Sequence, residues 1–152
     1  MAKKTITVDY PFESVKPDVL AICCSDGRYI RAIEHFLFAR KIDCHDLICF
    51  PGGPARFCHE TASIFEVSFS NEALDFLVRS HETQTMVLIA HENCSYYVSR
   101  FGSCEPERQA DDMRRARWRI LERHPKIEIQ LFLARPKTGK KNDGFAIEEV
   151  LI

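Results

Sequence analysis

Five side chains in this sequence are of types that do chemistry together: Cys24, Asp26 and Arg28 in Cys24-Ser25-Asp26-Gly27-Arg28, and His91 and Cys94 in His91-Glu92-Asn93-Cys94. Two thiolates and one imidazole are a ligand set for catalytic zinc, which leaves its fourth position open. Sulfur with imidazole suits Zn2+ over magnesium or calcium. The spacing is not that of a zinc finger. There is no CxxC pair, and Cys24 lies far from His91 and Cys94, so the fold must gather them. Plainer roles stand beside this one. A cysteine ending a strand is commonly a small buried hydrophobe, a histidine a hydrogen-bonded surface or core residue, and Asp26 with Arg28 a helix N-cap with a surface ion pair.

The elements that must position these residues can be read from the pattern. Val19 to Cys24 is an apolar run cut off by Ser25-Asp26-Gly27, and Met86 to Ala90 is a second, cut off by His91-Glu92-Asn93. Such runs are buried strands of a parallel sheet. Ligands in open parallel α/β sheets sit outside the carboxyl ends of the strands, which is where both motifs fall. Between them, Tyr29, Ile33, Phe36 and Leu37 mark an amphipathic helix over 29–41, and Leu47 to Phe50 a short strand stopped by Pro51-Gly52-Gly53-Pro54. Residues 60–69 are ambiguous: Phe65, Val67 and Phe69 alternate like a strand, and a helix is expected only from about 70 to 80. Ser95 to Phe101 reads as a short helix or loop, and Pro106 to Arg123 as a charged helix with Met113, Ala116, Ile120 and Leu121 as its apolar face. Ile127 to Leu133 reads as a strand, and Phe145 to Leu151 as an antiparallel edge strand after a turn-rich loop over 137–144. The expected class is α/β, a mainly parallel sheet of about four strands plus an antiparallel edge strand, flanked by helices. Residues 1–17, broken by Pro11 and Pro17, read as an arm with Thr5 to Val8 extended, and 18–152 as a single zinc domain.

Cys24-Ser25-Asp26-Gly27-Arg28 resembles the C-x-D-x-R motif of β-class carbonic anhydrases, and His91-Glu92-Asn93-Cys94 resembles that family's H-x-x-C motif, in the same order and the same strand contexts. The resemblance runs from about Val19 to Ile152 and implies a divergent, minimal member. It implies that Cys24, His91 and Cys94 bind Zn2+ and that Asp26 and Arg28 form the family's carboxylate–guanidinium pair. Zinc-bound hydroxide would hydrate carbon dioxide reversibly to bicarbonate. Arg28 would hold Asp26 off the metal, and Asp26 would orient the hydroxide. If the Arg28 contact broke, Asp26 could take the fourth position and shut the site. A homodimer or higher homo-oligomer is also implied, without the N-terminal clamp for which residues 1–17 leave little room.

Several positions depart from the family. Phe50-Pro51-Gly52-Gly53-Pro54 stands where the family usually carries Arg-Asn-Ala-Gly, and Ala90 and Ser95, followed by Tyr96 and Tyr97, stand where it has glycines beside the ligands. These changes touch the pocket lining and none removes a ligand. They motivate two alternatives: a zinc hydrolase of carbonyl sulfide or carbon disulfide, and a zinc-binding relative without turnover. His59 is a candidate proton relay or a solvent-exposed loop residue. Cys44 and Cys58 are further candidate ligands, Glu92 and Asn93 candidate hydrogen-bonding supports. Cys23, pointing to the face opposite Cys24, is expected in the core.

Composition bounds the rest. The chain has 152 residues, a formal net charge of -1 and seven cysteines. An odd cysteine count in a chain with no signal-peptide h-region suits free or metal-bound thiols and a cytoplasmic location. No apolar run reaches the ~20 residues of a membrane helix, so no membrane is expected as partner. Arg114, Arg115, Arg117, Arg119 and Arg123 cluster on the charged helix, but Glu105, Glu107, Asp111, Asp112 and Glu122 balance them. That is a solvated face rather than a nucleic-acid surface, and a small-molecule substrate is the expected partner.

Overall fold

The computed structural model describes residues 8–9, 14–137 and 144–151. Five strands form one sheet in the order β2-β1-β3-β4-β5. They are β1 (Val19–Cys24), β2 (Asp46–Phe50), β3 (Thr85–His91), β4 (Glu128–Pro136) and β5 (Phe145–Glu149). All neighbours run parallel except β5, which pairs antiparallel with β4. The two strands that carry the motifs, β1 and β3, are adjacent near the middle of the sheet, in register from Val19–Thr85 to Cys23–Ile89. The α/β class and the antiparallel edge strand agree with the sequence expectation. Most of the arm, including Thr5 to Thr7, and residues 138–143 of the turn-rich loop lie outside the described residues.

Strand alternation divides the core. Leu20, Ile22, Ile48, Leu88, Leu131 and Leu133 face one side, against Leu74 of α2 (Ile64–His81) and Met113, Ala116 and Ile120 of α4 (Pro106–Arg123). Ala21, Cys23, Val87, Ile89, Phe132 and Ala134 face the other, against Tyr29, Ile33 and Leu37 of α1 (Gly27–Ala39). The spacing of those three α1 residues is the i, i+4, i+8 stripe of an amphipathic helix. Cys23 lies in this second core, as its alternation with Cys24 requires. Among the described residues no helix is long and apolar enough to cross a membrane.

One expectation is corrected. The helix placed at about 70–80 begins at Ile64, and the alternation of Phe65, Val67 and Phe69 is not a strand. Ser63 starts it with a capping box: its hydroxyl accepts from Glu66 N, and Glu66 Oε2 accepts from Ser63 N at 2.7 Å. The buried residues Val67, Ser70 and Leu74 follow helical spacing, whereas Phe65, Phe69 and Phe76 point to solvent. The false period arose from exposed aromatics on a helix. Smaller shifts occur at α1, which starts at Gly27 because Asp26 caps it, and at Ser95–Phe101, which is a helix, α3. On α4 the arginines are largely spoken for. Arg114 pairs with Asp111, Arg115 with Asp112, Arg119 with Glu60 and Arg123 with Asp75.

Candidate metal centre

Cys24 is the last residue of β1, His91 the last of β3, and Cys94 the N-cap of α3. By alternation Cys24 leaves the sheet on the α2–α4 side and His91 on the α1 side, so they meet only beyond the strand ends. Among the described residues they form the one group of three metal-type side chains whose ligand atoms all lie within 4.8 Å of one another. All three are buried, His91 to 1 % exposure. The turn from β3 into α3 includes Asn93 in the left-handed region, φ 56°, which brings Cys94 back toward the strand end.

Hydrogen bonds fix the orientation of the imidazole. His91 Nδ1 lies 2.8 Å from the Glu92 carbonyl oxygen. A carbonyl only accepts, so Nδ1 carries the proton, and Nε2 of the neutral ring presents its lone pair. Nε2 is buried and has no protein partner. An orphaned buried acceptor is costly, and beside two thiols it fits a soft or borderline cation such as Zn2+. The sulfurs of Cys24 and Cys94 lie 3.8 Å apart. The Cys24 thiol is pushed down to about 4, chiefly because Cys94 donates to it, with help from the backbone N–H groups of Gly52 and Asp26. Cys94, holding the shared proton, is pushed up. The pair thus gives up its first proton readily, which favours a cation between them.

Asp26 is both an N-cap and an ion-pair partner. Its Oδ1 accepts from Arg28 N at 3.1 Å. Arg28 Nε and Nη2 then grip the carboxylate at 2.9 and 2.5 Å. This holds the Asp26 carboxyl down at about 2. The plain cap-and-pair role and the clamp of the sequence motif are therefore one arrangement. Asp26 lies outside the close group of ligand atoms.

The segment after β2 forms the wall. Gly52 and Gly53 take φ +86° and +51°, and a 3-10 helix follows over Gly53–Phe57. A Cβ on Gly52 would lie 2.4 Å from the Tyr96 ring, and one on Gly53 would lie 2.7 Å from Cys24 N. Both the conformation and the space require glycine. Gly53→Ala is expected to cost about 2–4 kcal/mol of stability, measured by urea unfolding, because backbone on both sides must move. Ala55, Tyr97, Cys24 and Cys94 pack together, with Tyr96 at the margin. Tyr96 covers Gly52, and the Arg100 guanidinium lies 4.4 Å over its ring. Tyr97 is buried, with its hydroxyl donating to Asp112.

Other sequence candidates lie apart from the group. His59 is exposed. Cys58 is buried and donates to Glu60 Oε2 and Asp112, and its thiol is pushed up to about 12, first by burial. Cys44 is half-buried and is not among the grouped ligands. Glu92 contributes its carbonyl, which accepts from both His91 and Tyr29, whereas its side chain faces Arg135.

Three supporting residues went unnoticed in the sequence. Tyr29 stacks on His91 with ring centres 4.0 Å apart. Gln109 Nε2 donates to the His91 carbonyl at 2.8 Å from a fully buried position on α4. Cys104 Sγ accepts from Cys94 N at 3.2 Å. A signal existed for Gln109 and Asp112: both continue the buried stripe of Met113, Ala116 and Ile120 at i−4 spacing, which marks them as buried polar groups.

Solved structures with the same fold include β-carbonic anhydrase isoform I (TvaCA1) of Trichomonas vaginalis, at 15 % identity and TM-score 0.58, over 95 % of this chain and 88 % of that one. The carbonic anhydrase of Streptococcus mutans is similar at 15 % identity and TM-score 0.54, over 95 % of this chain and 87 % of that one. No curated protein matches the chain. The family model described as "Putative carbonic anhydrase" matches residues 15–137. With most of its length matched by that model, and both motifs inside the match, the chain belongs to this carbonic anhydrase family.

Proposed function

We propose that the chain is a zinc-dependent carbonic anhydrase interconverting carbon dioxide and bicarbonate. The observation that carries the reading is the buried group of Cys24, His91 and Cys94, with the lone pair of His91 Nε2 unclaimed by protein. Cys24, His91 and Cys94 would hold Zn2+, which supplies a Lewis acid able to bring water's pKa to about 7. Asp26 stays ionised at neutral pH because Arg28 holds its carboxyl near 2. It can therefore only accept, and it orients the attacking oxygen by taking its proton in a hydrogen bond. Arg28 keeps both carboxylate oxygens occupied and so keeps Asp26 from filling the open position. Tyr97 and Ala55 pack behind Cys24 and Cys94, and the partly buried Tyr96 ring is the apolar surface beside them against which a small apolar substrate can rest.

Hydrolysis of carbonyl sulfide or carbon disulfide is a second reading of the same centre, favoured by the Gly52–Gly53 wall pressed against Tyr96. In a stopped-flow indicator assay, the zinc-loaded protein is expected to hydrate carbon dioxide at a rate that tracks zinc occupancy. Sulfide release from carbonyl sulfide without carbon dioxide hydration would move the assignment to the second reading. Zinc without either turnover would leave a zinc-binding protein, and absence of stoichiometric zinc would remove the centre itself.

The assembly we propose is a homodimer. Phe65, Phe69 and Phe76 are 83, 58 and 62 % exposed on α2, beside β2, an edge strand of the sheet. Contiguous apolar surface next to an unpaired strand edge favours association. Phe69→Glu with Phe76→Glu is expected to turn a dimer into a monomer in size exclusion with light scattering. A wild type that is monomeric at micromolar concentration would remove the dimer. The seven free thiols suit a reducing compartment such as the cytoplasm.

A further inference from the structure

We propose that Cys23 and Cys49 are a redox latch, a dithiol that closes to a disulfide between β1 and β2 immediately behind the metal-ligand strand end. The two are register partners on adjacent parallel strands. Their sulfurs lie 3.2 Å apart on the α1 side of the sheet. Neighbouring strands lie about 4.8 Å apart, inside the Cα range a disulfide spans. The sulfurs need to close by only about 1 Å to reach bonding length, which side-chain rotation supplies without moving either strand far.

Four of the other five cysteines are differently engaged. Cys24 and Cys94 belong to the metal-type group, Cys58 donates to Glu60 and Asp112, and Cys104 accepts from Cys94 N. Cys49 is half-buried on the α1 side of the sheet, opposite α2, whereas Cys23 is fully buried, so an oxidant meets Cys49 first. With a hydroperoxide as oxidant the step balances. Cys49 sulfur takes the terminal oxygen as the O–O bond breaks. The thiol becomes a sulfenic acid and the peroxide leaves as an alcohol, or as water from hydrogen peroxide. Cys23 sulfur then attacks that sulfur, the S–S bond forms, and the hydroxyl leaves with the Cys23 proton as water. Two electrons pass from the thiols to the peroxide. The bond ties the end of β1 to the end of β2, one residue before both Cys24 and the Phe50–Pro54 wall.

The test is mild hydrogen peroxide treatment of the zinc-loaded protein, followed by alkylation, intact mass and non-reducing peptide mapping with fragmentation that separates Cys23 from Cys24 and Cys44 from Cys49. The expected result is loss of two hydrogens per chain, a Cys23–Cys49 cross-linked peptide, zinc still bound, and full reversal by dithiothreitol. Cys49→Ser is expected to show no such loss. The latch is overturned if Cys23 and Cys49 both remain alkylatable while the protein oxidises elsewhere, including a Cys24–Cys94 link. Loss of zinc without treatment bears on the metal centre and not on the latch, which the cross-linked peptide reads directly. Because alkylation of the wild type reports on both thiols, the result does not depend on the variant folding.

Discussion

Cys24→Ser is expected to purify without stoichiometric zinc and to hydrate carbon dioxide only at the background rate, against the one zinc per chain expected of the wild type. The substitution is nearly isosteric but exchanges a thiolate for a hydroxyl that stays protonated at neutral pH. The centre is left with one sulfur and one imidazole, too few strong donors for a buried tetrahedral site. Removing even a group that only supports a ligand commonly costs 10–100-fold in metal affinity, so loss of a ligand should exceed about 100-fold. Metal analysis of the dialysed protein beside the rate assay checks this. Cys23→Ser is the control: one residue earlier, its side chain lies in the other core, and zinc should remain. Wild-type zinc affinity in Cys24→Ser would place the metal elsewhere or nowhere.

Asp26→Asn is expected to keep its zinc and its fold but to lose about 100- to 1000-fold in kcat/KM. Asparagine caps a helix as well as aspartate does, so the α1 start survives. What is lost is an ionised acceptor beside the reacting oxygen, and groups that orient or stabilise at that position are worth that much. Unchanged kcat/KM in Asp26→Asn would leave Asp26 as a cap alone. Arg28→Gln tests the other half of the pair. Its hydrogen bonds are the main cause of the depressed Asp26 carboxyl, which sits at about 2 against an ordinary 3.8. A carboxylate lowered on folding contributes stability that is fully present above its unfolded value and lost as pH falls through its folded one. The stability difference between wild type and Arg28→Gln should therefore be constant above about pH 4 and shrink toward pH 2. Acid unfolding followed by circular dichroism checks the sign. A difference that grows on acidification would contradict the pair.

Much of this arrangement was legible in the residues because it follows from local physics. Val19 to Cys24 and Met86 to Ala90 are uninterrupted apolar runs, and only a strand buried on both faces needs one. Their abrupt ends placed Cys24 and His91 at the carboxyl edge of the sheet without any knowledge of contacts. The Ile64 start of α2 was missed because exposed Phe65 and Phe69 imitated a strand period, although Ser63 and Glu66 already spelled a capping box. Gln109 and Cys104 were missed for another reason. Each touches a backbone atom of His91 or Cys94, so the i−4 place of Gln109 on the buried α4 stripe marks it as buried but not what it bonds, and the Cys104 contact leaves no trace in residue spacing. The resemblance marks Phe50 to Pro54 as pocket lining, but the residues themselves show only a strand stop. The tight seat of this segment against Cys24 and Tyr96 is a matter of packing between segments remote in sequence.

The register of β1 against β3 also sets when the centre can exist during synthesis. Strand β2 and helix α2 precede β3 in the chain, so the Cys24 sulfur has neither of its two partners until β3 and the Cys94 turn have been made. Closing that long excursion is an entropic toll taken before any ligand geometry exists. A nascent chain halted before Cys94 cannot hold a metal through three side chains. Under the proposed function, metal capture would follow the pairing of β1 with β3, and its completion would report that the middle of the sheet has closed.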